Sequence, residues 1–376
     1  MKILTVIETV DIETGGGASE RARQISLHLH KLGHKVKILT TDINFSDLTR
    51  KTLESLEVIT LRSILKRFRV PFPRPLIIAR LVRECDVVNV VNHWSVVTLI
   101  TYFFCKIYKK PYFISPLGSL VIFGRSKNLK KLYNFLIGKK ILNDSAGYIL
   151  ATLEEKNQMD DLNLNISNIY HIPNGVNEDD YEETQNNKVL EKHGLMNNYI
   201  LFIGRLNEIK GPDILFKAFE KISEKFTNID LVYIGPDEGL SDDLIKLASS
   251  SGLLSRMHIL GYVSLEEKAS IIRNSLFLTI PSRKEAMSIV VLEAGILGKP
   301  VLLTTTCGFD EVEQVQGGLV VEPTINSVSQ GLTHLLEKSE DLEQMGNNLK
   351  RFVRANYLWS NAAAKHEELF KSYLAK

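Results

Sequence analysis

Cysteine is scarce in this 376-residue chain: Cys85, Cys105 and Cys307 are the only three. An odd, sparse count without metal-ligand spacing reads as a reduced, cytosolic protein. No apolar stretch is long and clean enough to read as a membrane span. The longest such region, Val87 to Cys105, is broken by Asn89, Asn92, His93 and Trp94, and reads as a buried strand, a loop and a helix. Met1–Ile7 is too short for a signal peptide and runs into acidic residues, so it reads as a first strand. Internal repeats at solenoid periods and low-complexity tracts are absent. The glycine triplet Gly15–Gly17 does not complete Gly-x-Gly-x-x-Gly, because position 20 is Glu. That argues against a nicotinamide cofactor.

What is present is ordinary for a soluble globular chain: 44% apolar and 24% charged residues, at a length sufficient for two domains with proper cores. The net charge of +2 hides an asymmetry. Residues 1–177 carry 25 Lys+Arg against 15 Asp+Glu, a net +10, and the remainder carries 21 against 29, a net −8. The basic excess is concentrated. From Lys106 to Lys140 there are nine basic residues and no acidic one, and from Arg62 to Arg83 there are seven and none. Arg67, Arg69, Lys130, Lys131, Lys139 and Lys140 are interleaved there with Phe68, Leu132, Tyr133 and Phe135. Such a half suits an anionic membrane surface or a phosphate-bearing acceptor; the bland alternative is a solvated face. Nucleic acid is not expected, because no nucleic-acid module accompanies the charge.

Strand and helix patterns alternate through the chain, twice over. Ile3–Ile7 is an apolar run fit for a buried parallel strand. A helix from about Ala18 to Leu32 follows, with Ala22, Ile25 and Leu29 on one face and Gly33 closing it. Strands are expected at 36–40, 58–61, 87–91, 112–115 and 148–152. An Ile-Pro-Asn-Gly turn at 172–175 ends the first set. The acidic stretch 178–195 is the linker candidate. The second set restarts at 199–203, with a helix from Pro212 to about Phe226 and strands at 231–234, 258–260, 276–280, 301–304 and 319–321. Two sets of βα units imply an α/β protein of two doubly wound domains, 1–177 and 196–376. Ligands of such sheets bind at the carboxyl ends of strands.

Two clusters fall just past strands. Gly204-Arg205-Leu-Asn-Glu-Ile-Lys210-Gly211 offers two cations. Ser282-Arg-Lys-Glu285-Ala-Met-Ser-Ile-Val-Val-Leu-Glu293 offers two carboxylates eight positions apart. If the residues between them are helical, the glutamates stand roughly 12 Å apart along the axis. Carboxylates for hydroxyl groups and cations for a diphosphate point to a nucleotide-sugar site. Backbone N–H groups of Met287, Ser288 and Ile289, at the expected helix start, could bind phosphate. Gly16 and Gly17 could let the backbone approach a phosphate or sugar.

These motifs resemble the donor-site motifs of the family-4 (group 1) glycosyltransferases of the GT-B fold. Gly33-His-Lys-Val36, Ile172-Pro-Asn-Gly-Val176, Gly298-Lys-Pro-Val301 and Gly317-Gly-Leu-Val320 extend the likeness, in the expected order, over nearly the whole chain. The resemblance implies two Rossmann-like domains facing across a cleft, with the N-terminal one on the acceptor side. The C-terminal domain binds the donor, and the last helix is a candidate to pack back on the N-terminal domain. It implies a nucleotide-sugar donor, a glycan or lipid-linked acceptor, retention of anomeric configuration and no required metal. The sequence contains no Asp-x-Asp pair, in keeping with the last. No cofactor is expected.

By the same resemblance, Arg205 and Lys210 neutralise the donor diphosphate, Glu293 accepts from ribose hydroxyls and Glu285 contacts the donor sugar. One departure stands out. Relatives often carry His or Arg in the loop after the strand that is 112–115 here, where this chain reads Ser115-Pro-Leu117-Gly118. His93, after an earlier strand, is the other acceptor-side candidate; a lone His beside Trp is commonly structural. A nucleotide-sugar epimerase of the same fold and a non-catalytic sugar-nucleotide-binding protein stay as alternatives. The expected setting is cytoplasmic, at the inner face of the membrane, in surface polysaccharide or glycoconjugate biosynthesis.

Overall fold

A computed structural model describes residues 1–65, 70–72, 74–120, 131–153, 155–160, 164, 168–181, 187–285 and 287–375. Arg67, Phe68, Arg69 and Lys130 of the basic segments lie outside the described residues. The chain divides into two compact units, Met1–Gly175 with Trp359–Lys376, and Val176–Leu358.

In the first unit the strands are β1 (Lys2–Val6), β2 (Lys35–Thr41), β3 (Glu57–Leu61), the short pair β4 (Ser63–Leu65) and β5 (Val70–Pro71), β6 (Val87–Val91), β7 (Tyr112–Ser115), β8 (Gly147–Leu150) and β9 (Ile169–His171). Seven of them form one sheet in the order β3-β2-β1-β6-β7-β8-β9, with parallel pairing throughout. The continuous apolar runs explain this: β6, β7 and β8 are buried along their full length, as strands covered on both faces must be. The first helix spans Gly16–Lys31 and ends at Gly33, whose φ of +87° suits glycine.

The second unit holds β10 (Asn198–Ile203), β11 (Ile229–Ile234), β12 (Met257–Ile259), β13 (Phe277–Ile280), β14 (Val301–Thr304) and β15 (Gly318–Val321). Their order is β12-β11-β10-β13-β14-β15, again all parallel. In both sheets the chain winds outward from a central strand, then returns to that strand's other side. β9 and the β4–β5 pair escape the sequence reading because they are two or three residues long and lack an apolar run.

The stretch 178–195, expected as a linker, belongs to the second unit. It carries the short helices Asp179–Tyr181 and Asn187–His193. Its described residues are fastened at two points: Lys192 pairs with Glu267 at 2.6 Å, and Arg273 donates to the Tyr181 carbonyl. The helix expected over 212–226 stops at Glu220.

The last helix, Trp359–Leu374, packs on the Gly16–Lys31 helix of the first unit. The contact is polar at its centre. Arg21 is buried, its guanidinium donating to Asn174 Oδ1 at 2.9 Å and to the Ile172 carbonyl at 2.8 Å. Burial lowers Arg21 to about 10, opposed by the charge of Glu155. Fully buried His366 donates Nδ1–H to the Ala362 carbonyl at 2.8 Å and packs edge-on to Phe370. Burial first, and then the nearby Arg21 charge, lower the imidazole to about 3. The folded chain therefore refuses a proton that the unfolded chain accepts below its ordinary value of 6.5. Stability from this group is present above that value and is lost as pH falls toward 3, at up to roughly 1.4 kcal/mol per pH unit. We expect the melting temperature of His366→Gln to fall less between pH 7 and pH 5 than that of the unmodified chain. Equal pH slopes in thermal melts would contradict a neutral buried His366.

Candidate functional site

The two motifs, about seventy positions apart in sequence, are brought together by the sheet. β10 and β13 are hydrogen-bonded neighbours, Leu201 opposite Leu278. Between them the winding reverses, because β11 and β12 lie on one side of β10 and β13–β15 on the other. Such a reversal opens a crevice at the strands' carboxyl ends. The Gly204–Gly211 loop leaves β10 there, and Pro281–Ser288 leaves β13.

The first loop is locked from behind. Gly204 N–H donates to the Ile234 carbonyl at 2.9 Å and Leu206 N–H to the Pro236 carbonyl at 2.9 Å. Leu206 is buried, so its neighbours Arg205 and Asn207 turn outward. The Lys210 N–H is held by Asn207 Oδ1 at 3.1 Å. Gly211 then takes φ +70° and meets the second loop: a Cβ there would stand 2.2 Å from the Pro281 carbonyl oxygen. Only glycine permits that approach.

The described residues of the second loop are not helical. The helix starts at Ile289, after Ser288 at φ −77°, ψ 112°. Glu285 therefore stands four residues before it, and the axial spacing expected for a continuous helix does not apply. Glu285 N–H donates to the Thr306 carbonyl at 3.1 Å, and Thr304 Oγ1 donates to the Ser282 carbonyl at 2.7 Å. The loop after β14 thus supports the loop after β13. Met287 and Ser288 are buried and Ile289 is half-buried.

Every charged side chain that the sequence singles out here has an opposite charge beside it. Lys210 Nζ pairs with Glu285 Oε2, both half-buried. Arg205 pairs with Glu238 at 3.0 Å, while Asn207 holds the other Glu238 oxygen at 2.6 Å. Glu293, 8% exposed between buried Leu292 and Ala294, pairs with Lys268 at 2.7 Å. Glu238 and Lys268 are absent from the sequence reading, since neither lies within motif spacing of its partner.

A second unanticipated pair joins the motifs directly. Arg283 makes a two-pronged contact with Asp213, at 2.8 and 2.6 Å, and donates to the Glu208 carbonyl at 2.6 Å. Burial pushes the Asp213 carboxyl up, but the Arg283 hydrogen bond and charge outweigh it, so it stays below its ordinary value. Arg283 was visible in the motif; its partner, 70 positions away, was not.

Gly16, Gly17, His93 and Ser115 belong to the first unit. Gly16 and Gly17 are exposed at the first turn of the Gly16–Lys31 helix, with Gly16 at φ +68°. The loop before them is organised by buried Asp11, which accepts from Thr14 N–H at 2.8 Å and from Thr49 Oγ1 at 3.1 Å. His93 follows β6 by two residues and Ser115 ends β7; both are fully buried. His93 lies against Trp94, with ring centroids 4.3 Å apart, and its Nδ1 is 3.3 Å from Ser119 Oγ. Leu117 and Gly118 both take positive φ, +51° and +74°. The buried Glu155 carboxylate holds that turn by accepting from Gly118 N–H and from Ala151 N–H. Among the described residues no three His, Cys, Asp or Glu side chains gather as a metal-holding group.

The Arg283–Asp213 pair supplies a test of the loop geometry. Arg283→Met and Asp213→Asn should each lower the unfolding free energy by about 1 kcal/mol, and the double variant by little more than either alone. Additive losses in denaturant titrations would remove the pair as a staple.

Residues 15–180 match the family model described as Glycosyltransferase Family 4, and residues 183–352 match Glycosyl transferases group 1. An uncharacterised glycosyltransferase of Methanocaldococcus jannaschii is 31% identical over 174 residues, 46% of this chain and 44% of that protein. The alpha-D-kanosaminyltransferase of Streptomyces kanamyceticus is 28% identical over 183 residues, 48% of this chain and 47% of that protein. The chain thus spans about half the length of these two curated relatives. The crystal structure of Anabaena HepE with UDP and glucose is similar at a TM-score of 0.81 and 17% identity, over 99% of this chain and 100% of that one. At that identity the likeness speaks to the fold. With both family models matched in order along nearly its whole length, the chain belongs to the family-4, group 1 glycosyltransferases and has their GT-B fold.

Proposed function

We propose that this chain transfers a sugar from a nucleotide-sugar donor to a glycan or lipid-linked acceptor, with retention and without a metal. The observation that carries the reading is the meeting of Lys210 and Glu285 at the β10–β13 reversal. A cation for phosphate and a carboxylate for sugar hydroxyls stand side by side there. That HepE was crystallised with UDP and glucose supports a donor of this class.

In this reading Arg205 and Lys210 bind the diphosphate. Negative charge grows on the leaving phosphate as the glycosidic bond breaks, so fixed cations stabilise the transition state more than the ground state. The leaving phosphate takes the proton of the incoming hydroxyl as that oxygen bonds the anomeric carbon on the same face. Glu285 holds the sugar hydroxyls and Glu293 the ribose. Backbone N–H groups at Met287, Ser288 and Ile289 complete the donor contacts of this unit. The internal partner Glu238 does not block this. The Arg205–Glu238 pair is more than 40% exposed on both sides, and such a pair is worth about 0.2–1 kcal/mol. A charged hydrogen bond to phosphate contributes about 1.5–3 kcal/mol, so the donor displaces it. His93 and Ser115, buried beneath the 115–119 turn, shape the acceptor side. An epimerase of the same fold would need acid and base residues at the sugar, and the Arg/Lys plus two-glutamate pattern disfavours it.

Arg205→Ala and Lys210→Ala should each lower turnover about 30- to 200-fold in a folded protein. Near-normal rates in both would remove the diphosphate assignment.

The acceptor side carries a surface suited to lipid. Over Lys131–Lys140 the exposed residues are Lys131, Leu132, Phe135, Leu136, Lys139 and Lys140. They recur at helical spacing, while Asn134 and Gly138 turn inward. Phe135 is 84% and Leu136 67% exposed. An apolar stripe edged by lysines fits an anionic bilayer, each cation contributing about 1 kcal/mol. No helix among the described residues is long and apolar enough to cross a membrane, so the proposed contact is peripheral, at the cytoplasmic face. That place suits an enzyme of surface-polysaccharide or glycoconjugate assembly. Binding to anionic vesicles should weaken as salt rises, and Lys131→Glu, Lys139→Glu and Lys140→Glu combined with Phe135→Ser should abolish it while donor affinity is kept. Absence of vesicle co-sedimentation at low salt would mean a solvated face and a soluble acceptor.

A further inference from the structure

We infer that Lys268 is a positioning residue of the donor site: it holds one oxygen of Glu293 so that the other is presented to the ribose hydroxyls. The inference rests on the reading of Glu293 as the ribose acceptor.

Glu293 stands on the Ile289–Ile296 helix, where Val291, Leu292, Ala294 and Ile296 are all buried. A carboxylate in such surroundings needs a countercharge, because an unpaired buried charge is strongly destabilising. Lys268 supplies it from the Leu265–Asn274 helix, its Nζ 2.7 Å from Glu293 Oε1. Only one oxygen is used. Glu293 Oε2 is buried, and no described residue donates a hydrogen bond to it. An ionised carboxylate has acceptor sites on both oxygens, so Oε2 is a fixed acceptor with capacity left for a ligand.

The helix that brings Lys268 is itself fixed. Its N-terminus carries a reciprocal cap: Ser264 Oγ accepts from Glu267 N–H at 3.2 Å, and Glu267 Oε2 accepts from Ser264 N–H at 3.1 Å. Such a cap satisfies two otherwise unpaired donors. Lys192 pairs with Glu267 at 2.6 Å, and Arg273 at the other end donates to the Tyr181 carbonyl. Lys268 thus rises from a helix tied at both ends, one position beyond the capping glutamate. A flexible lysine so anchored fixes the Glu293 rotamer, which a solvent-exposed partner would not.

The test titrates UDP, GDP and ADP, each beside its 2′-deoxy counterpart, by calorimetry. The unmodified chain should prefer the ribose form of the nucleotide it binds best. Lys268→Met should lose about tenfold in affinity for that form and little for the deoxy form, so the preference collapses. Lys268→Arg should restore most of it. Glu293→Gln separates the two layers. If it keeps the preference, or if none of the diphosphates binds, the ribose reading itself fails. If Glu293→Gln loses the preference while Lys268→Met keeps it, or if Lys268→Met weakens both forms equally, Lys268 has no positioning role.

Discussion

The close approach of Gly211 to Pro281 is the constraint on which the donor-side geometry depends. A side chain at 211 would put its Cβ 2.2 Å from the Pro281 carbonyl oxygen. With glycine there, the loop leaving β10 lies against the loop leaving β13, and Lys210 reaches Glu285. The same approach lets Arg283 reach Asp213 and the Glu208 carbonyl. Parallel sheets make this arrangement available at only one place, where the winding reverses. A second tight contact has the same character: at Gly235 a Cβ would stand 2.1 Å from the Gly204 carbonyl oxygen. Backbone packing fixes the loops, and the charged side chains are what they display.

Charge compensation is the second theme. Lys210–Glu285, Arg205–Glu238 and Lys268–Glu293 each neutralise a group assigned to the donor. These pairs differ in depth. The Arg205 pair is open to solvent, and in the proposed reading a diphosphate displaces it. The Lys268 pair is 22% and 11% exposed, and its role in the proposed reading is to persist while a ligand binds the remaining oxygen. Glu285 stands between these cases, since a diphosphate on Lys210 would release it toward the sugar.

Much of this was legible in the sequence. The strands at 87–91, 112–115 and 301–304 coincide with the observed ones, because continuous apolar runs between turn residues leave few alternatives. The paired winding followed from alternation, and the two donor motifs from their residue types past strand ends. What escaped was set by tertiary contact. The helix starts only at Ile289, and the loop before it is held at Ser282 and Glu285 by Thr304 and Thr306. The placement of Tyr181 and Lys192 depends on Arg273 and Glu267, distant in sequence. Glu238, Lys268 and Asp213 carry no motif spacing, so only the fold identifies them.

The central claim is that the two motifs divide the donor, with phosphate on the cations and sugar on Glu285. It is tested most directly by calorimetric titration of UDP, GDP and ADP into the unmodified chain, Lys210→Ala and Glu285→Ala. The account predicts that at least one diphosphate binds, and that Lys210→Ala weakens it about tenfold or more. Glu285→Ala should bind it as tightly as the unmodified chain or more tightly, because Lys210 loses its competing carboxylate. Equal losses in both variants, or no diphosphate binding at all, would contradict the account.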